Sequence, residues 1–178
     1  MSDIAFVTDG TAAVIGLLFG LLDMGVNHCP NEGCLARNEV PGYASLAVGE
    51  TYFQEAHTGE ELYLRRDTKL AFGPFQTIYG ASISNDGELW GGLGSAWTAP
   101  LFSQRGYVQF HAMAGLYSKG SGSGLGGPIE FRSGVEVGYQ ALNGVRFGLG
   151  FDHRSNAGIY DSNPGLETVH VRVSIPTN

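Results

Sequence analysis

From residue 42 onward the chain alternates apolar and polar positions in short runs bounded by turn residues, the period-two signature of strands with two unlike faces. Eight such runs can be drawn, at roughly 43–54, 61–72, 75–84, 88–98, 106–118, 129–141, 145–155 and 167–175. Each is close to the about 9–11 residues that a tilted strand needs to cross a bilayer. The connectors between them are 54–60, Gly73-Pro74, Asn85-Asp86-Gly87, 99–105, 119–128, Leu142-Asn143-Gly144 and 156–166. With both ends of the array on one side of a membrane, the periplasmic side of a bacterial barrel, the first, third, fifth and seventh connectors face outside. Three of those four are long and polar or glycine-rich, while Gly73-Pro74 and Asn143-Gly144 make short inner turns.

Hairpin geometry fixes the pairing. A two-residue Asn143-Gly144 turn would set apolar residues of one strand against the glycines of the next. A three-residue loop with Gly144 left-handed pairs Ala141 with Val145 and keeps the apolar faces together, so the sequence predicts that form. The same loop at Asn85-Asp86-Gly87 aligns Ile83 with Leu89, Tyr79 with Leu93 and Phe75 with Trp97. In the last three strands one face carries Val135, Val137, Tyr139, Val145, Phe147, Leu149, Phe151, Val169, Val171, Val173 and Ile175. The other carries Glu130, Arg132, Glu136, Arg146, Asp152, His170 and Arg172 with interleaved glycines. Charges of both signs can pair inside a narrow barrel whose aliphatic band faces lipid. A soluble, lipocalin-like barrel would need the reverse orientation, which periodicity alone leaves open. Arg66 fits least well, because it falls on the apolar face with Leu62, Leu64 and Leu70; an arginine facing lipid at mid-depth costs about 2–4 kcal/mol.

Composition points the same way. Of 178 residues 28 are glycine, 18 are tyrosine or phenylalanine, and only 15 % are charged, which suits an all-β membrane barrel better than a soluble domain. The fold class expected is therefore an eight-stranded antiparallel up-and-down transmembrane β-barrel with an N-terminal extension. A net charge of −7 argues against nucleic acid as a partner. Trp90, Trp97, Tyr107, Tyr117 and Tyr160 lie near strand ends, where an aromatic girdle is expected.

Residues 1–41 differ from the rest and are assigned as the extension, leaving 42–178 as the barrel domain. The apolar stretch 12–22 reads either as the remnant of a signal sequence or as an amphipathic segment resting on the barrel, and it is too short to span a bilayer as a helix. Cys29 and Cys34 can close a small disulfide loop or remain thiols; with His28 alone beside them they make a weak zinc site. The Gly122-Ser123-Gly124-Leu125-Gly126-Gly127 stretch fits a nucleotide-loop pattern, but a strand follows where a helix is required, so it reads as a flexible outer loop.

The chemistry gathers near the end of the chain. His153 and Ser155 are two apart at the end of a strand and share a face, the apolar one. Glu167 opens the next strand on that face. If Glu167 lies opposite His153, then Phe151 meets Val169 and Leu149 meets Val171. The plain reading is three polar residues at the water interface beside turn-forming Ser155-Asn156 and Asn163-Pro164-Gly165. The chemical reading makes Ser155 a nucleophile, His153 its general base and Glu167 the carboxylate that orients the imidazole, with glycine-containing backbone beyond Ser155 as oxyanion hole. A triad on a greasy face calls for a substrate that is itself in the membrane.

The residues Phe131-Arg132-Ser133-Gly134, His153-Arg154-Ser155-Asn156-Ala157-Gly158, Asn163-Pro164-Gly165 and Glu167 resemble those of the lipid A 3-O-deacylase (PagL) family, outer-membrane enzymes that remove an ester-linked acyl chain. The resemblance covers 129–176 in detail and 43–118 in architecture only. It implies an eight-stranded barrel in the outer membrane of a Gram-negative bacterium, lipid A or lipopolysaccharide as substrate, and no cofactor or metal. It further implies His153, Ser155 and Glu167 as the triad on the lipid-facing wall, the N–H groups of Asn156 and Gly158 as oxyanion hole, Asn163 as loop support and Phe131 as lining of the acyl-chain groove. A barrel of the same fold without activity, structural or lipid-binding, is the alternative.

Overall fold

A computed structural model describes residues 10–101 and 105–177. Helix α1 (Thr11–Asp23) runs into a π-helical turn (Met24–His28). Nine strands follow: β1 (Arg37–Glu39), β2 (Gly42–Phe53), β3 (Ala56–Phe72), β4 (Phe75–Ser84), β5 (Leu89–Leu101), β6 (Gly106–Ser118), β7 (Ile129–Gln140), β8 (Arg146–Ser155) and β9 (Leu166–Thr177). Strands β2 to β9 pair antiparallel in chain order, and β2 also pairs with β9, so the sheet closes into an eight-stranded barrel. Closure leaves β2 to β9 without a free edge, which is what a membrane requires of a sheet. Gly42 pairs with Thr177 at what we call the lower rim; β1 extends the lower end of β3.

The two faces are sorted as the alternation dictates. Leu149 is 61 % exposed on the outside and Val171 62 %, whereas Arg132 and Glu130 are fully buried inside. The lipocalin-like orientation is thereby excluded. Inside, charges of opposite sign meet: Arg132 reaches Glu61 and Asp152 at 2.7 Å each, Arg172 lies 3.0 Å from Glu136, and Arg154 also binds Glu61. The Arg132 guanidinium sits 3.9 Å from the Tyr63 ring centroid, adding a cation–π contact in a dry setting. Inner-face glycines make the room: a Cβ on Gly134 would fall 2.0 Å from Asp152 Oδ1, and one on Gly150 2.4 Å from His170 Nε2. His111 is wholly buried here, with Nε2 3.5 Å from Asp152.

Both three-residue hairpins form. Ala141 donates its N–H to Val145 O at 2.8 Å, and Gly144 has φ 84°; Ile83 pairs with Leu89 and Tyr79 with Leu93. Three expectations are corrected. The first outer connector is only Gln54-Glu55, both left-handed (φ 50° and 69°), because β3 begins at Ala56 rather than 61. Trp90, Tyr107 and Tyr117 point into the barrel rather than forming a girdle, since strand parity, not nearness to an end, decides the face. The glycine-rich 122–127 loop is folded: Leu125 is buried, Ser123 N–H donates to Glu88 at 2.6 Å, and Tyr117 Oη donates to Ser123 O at 2.7 Å. Cys29 and Cys34 are disulfide-bonded. Arg66 remains on the outer face, paired with Tyr79 and Ala44.

The 12–22 stretch lies within α1, which rests on the outside of β5, β6 and β7. Its inner side is small (Ala13, Gly16 and Gly20 are buried) while Val14, Leu18, Phe19 and Leu22 are more than half exposed. That is inside-out for a soluble helix and ordinary for one packed by small residues within lipid.

Candidate active site

The upper ends of β7, β8 and β9 bring the predicted residues to the outer wall. Register pairs His153 with Glu167 across β8–β9, Phe131 with Ser155 and Ser133 with His153 across β7–β8. Below them Phe151 pairs with Val169 and Leu149 with Val171, so the polar group stands directly above an apolar wall. Period-two geometry accounts for all of this: odd-numbered positions of these three strands face outward.

His153 Nδ1 and Glu167 Oε1 are 3.2 Å apart, with side chains 14 % and 17 % exposed. A proton on Nδ1 directed at the carboxylate leaves Nε2 as an acceptor for a hydroxyl. Gly165 covers the pair: a Cβ there would lie 2.6 Å from His153 Cε1 and 2.9 Å from Glu167 Oε1. Ser155 shares the outer face, half-buried, and among the described residues it makes no hydrogen bond to His153. Such bonds are commonly long without substrate and tighten in the complex.

Beyond Ser155 the chain turns sharply. Asn156 N–H donates to Asn163 Oδ1 at 2.9 Å, and Gly158 N–H donates to Asn156 Oδ1 at 3.0 Å. Both N–H groups expected at an oxyanion are therefore engaged by side chains. Ala157, left-handed at φ 53°, lies between them, and its N–H has no partner among the described residues. The Asn156 side chain is wholly buried and donates to Leu125 O and Ser162 O, each at 2.7 Å. It thus ties the 119–128 loop to the 156–165 loop above the site. Tyr160 reinforces the tie: its ring lies over Gly127, and its hydroxyl accepts the Ile129 N–H at 3.3 Å.

Phe131 is 37 % exposed beside Ser155. Two neighbours had not been singled out for a role. Ser133 stands beside His153 on the outer wall, and its parity with Val135 and Val137 would have shown a serine in a greasy stripe. Gly10, just ahead of α1, packs on the same pair: a Cβ there would sit 2.8 Å from Ser133 Oγ and 3.3 Å from His153 Cδ2. No sequence signal could have brought residue 10 to residue 153. Among the described residues no group of His, Cys, Asp and Glu is arranged to hold a metal.

A closed, eight-stranded barrel with paired charges inside and an apolar outer wall is built as the outer-membrane class of β-barrels is. The chain is a member of the lipid A 3-O-deacylase (PagL) family, whose family model matches residues 48–176. Among solved structures, the crystal structure of the outer membrane enzyme PagL superposes with a TM-score of 0.63 at 19 % identity, over 76 % of this chain and 99 % of that one. Neisserial surface protein A (NspA) gives 0.52 at 11 % identity, over 80 % and 99 %. A designed transmembrane β-barrel gives 0.50 at 11 %, over 78 % and 99 %. At these identities the structures attest the fold alone. No curated protein matches by sequence.

Proposed function

We propose that the protein is an outer-membrane lipid A 3-O-deacylase that hydrolyses an ester-linked 3-hydroxyacyl chain with Ser155, His153 and Glu167. The observation that carries this is the 3.2 Å contact between His153 Nδ1 and Glu167 Oε1 on the outside of the barrel, in register with Ser155 and directly above an apolar wall. Family membership supplies the substrate class.

Ser155 Oγ adds to the ester carbonyl while His153 Nε2 takes its proton, and Glu167 stabilises the imidazolium. Backbone N–H groups of 156–158 would hold the developing oxyanion: the Ala157 N–H has no partner among the described residues, and those of Asn156 and Gly158 join it if their side-chain acceptors yield. Collapse expels the sugar 3-oxygen, which takes the proton from His153, leaving an acyl-serine. Water then adds to the acyl carbon, gives its proton to His153, and releases the 3-hydroxy fatty acid as Ser155 regains that proton. The wall below supports a lipid substrate, because the acyl chain stays against apolar side chains throughout.

A second reading, a barrel that binds lipid A without cleaving it, is favoured by the engaged N–H groups and the missing Ser155–His153 bond. Mass spectrometry of lipid A from expressing cells separates the two. Deacylation is expected to remove one 3-hydroxyacyl chain with the unaltered protein and none with Ser155→Ala. Loss that persists in Ser155→Ala would refute the triad, and intact lipid A with the unaltered protein would favour the binding barrel.

A further inference from the structure

A convex barrel wall is a poor ruler. Outward side chains of neighbouring strands offer an acyl chain several parallel tracks, and Phe131 beside Ser155 marks only where such a track begins. Helix α1 changes that surface. At 13 residues it runs about 20 Å, from the polar group at its upper end to the lower part of the wall. Gly10 abuts Ser133 and His153; farther down Gly16 lies on the Phe110 ring, and Gly20 on Phe75 and Trp97. The helix thus starts at the site and slants away across β6 and β5. It leaves Leu149, Val169 and Val171 open beside it, at 61 %, 43 % and 62 % exposure.

The docking is specific. A Cβ on Gly16 would lie 2.0 Å from Phe110 Cδ1, and one on Gly20 2.8 Å from Phe75 Cε1, so only glycine lets the helix backbone come this close. The lower end is fastened: the Trp97 indole donates to Asp23 Oδ2 at 3.0 Å, the Cys29–Cys34 disulfide follows, and β1 pairs with β3. A helix held at both ends on a barrel wall is a ridge, and a ridge beside an open apolar strip makes a groove.

We propose that α1 forms one side of the acyl-chain groove and is the specificity-determining element of the site: it directs the chain of the bound ester onto the strip between itself and β9 and sets which chain lengths place their carbonyl at Ser155. This rests on the deacylase reading above. The occupant is a fatty acyl chain, because the strip is apolar and begins beneath the serine. In an apolar site one methylene is worth roughly tenfold or more in kcat/KM, so the ridge can select by length.

The test uses the full chain in vesicles with lipid A preparations that differ in the length of the 3-linked chain. Gly16→Leu forces α1 off Phe110 without altering any barrel residue. Undocking is read independently from Trp97, which gains access to brominated lipid and becomes quenched, while Trp90 stays shielded inside. The unaltered protein is expected to prefer one chain length by about tenfold; Gly16→Leu should cleave long and short chains at similar rates. Gly16→Ala should do the same in part, and Gly16→Ala with Phe110→Ala, which removes the obstructing ring, should recover the preference. An unchanged preference with α1 shown to be undocked overturns the proposal. A general rise in rate for all lengths also overturns it and makes α1 a cover instead. If the unaltered protein cleaves nothing while its barrel is folded, the deacylase reading has failed rather than this one.

Discussion

At the scale of single residues, Glu167 and Asn156 act differently although both stand at the same strand ends. Glu167 is partly exposed and touches His153, so its removal is expected to leave the barrel intact and the imidazole unoriented. Glu167→Ala is expected to lower kcat by about 10²–10⁴-fold with little change in KM, measured by release of 3-hydroxy fatty acid from lipid A in micelles. A rise in KM with kcat unchanged would assign Glu167 to substrate contact instead. Asn156 works through its neighbours. Its side chain satisfies Leu125 O, Ser162 O and the Gly158 N–H, so Asn156→Ala strands three polar groups at about 1–3 kcal/mol for each one left buried. Faster hydrogen exchange across 122–127 and 156–163, with unchanged exchange in the strands, is the expected signature. The placement of His153, Ser155 and Glu167 on one face was legible because period two fixes which residues share a face, and a single register choice then set His153 against Glu167. The hydrogen-bonding of the Asn156 and Gly158 N–H groups was not, since it depends on rotamers in a loop with no period to read.

At the scale of elements, strands were easier to read than the segments that join or cover them. Turn chemistry gave the three-residue hairpins because a left-handed glycine at a fixed offset leaves few choices. The Gln54-Glu55 turn escaped notice because two left-handed non-glycine residues carry no such mark. Nearness to a strand end suggests a girdle, yet the same register that pairs Leu89 with Ile83 turns Trp90 inward, where its indole donates to Glu130 O at 3.4 Å. The glycine-rich loop shows the opposite error: Gly122, Gly126 and Gly127 serve close packing rather than flexibility. Gly126 has φ +96°, and a Cβ there would fall 1.9 Å from Ser162 O. Gly126→Val is therefore expected to separate the two outer loops, at about 1–3 kcal/mol of backbone strain alone. Deacylase activity should drop while the heat-modifiable gel mobility of the barrel is retained. Loss of both together would mean that the loop is needed for assembly rather than for the site.

At the scale of the whole molecule, stability has two sources that can be separated by substitution. The outer wall is held by lipid: Leu149, Val171 and their neighbours gain nothing from water. The interior is held by paired charges, with Glu61 receiving Arg132, Arg154 and the Ser82 hydroxyl at once. Leu149→Arg places a charge on the lipid face and is expected to cost up to about 2–4 kcal/mol at mid-depth. Glu61→Leu removes one carboxylate from two buried guanidiniums and is expected to cost about 3–5 kcal/mol, because the stranded charges keep their desolvation penalty. Urea titration of the folded barrel in vesicles measures both. Salt separates them further: buried pairs are poorly screened, so neither cost should vary with ionic strength, whereas substitution of an exposed charge on an outer loop should. If Leu149→Arg were neutral and Val171→Arg likewise, the outer wall would not be in contact with hydrocarbon. The case for a lipid substrate would then lose its physical basis, because Ser155 sits above that same strip.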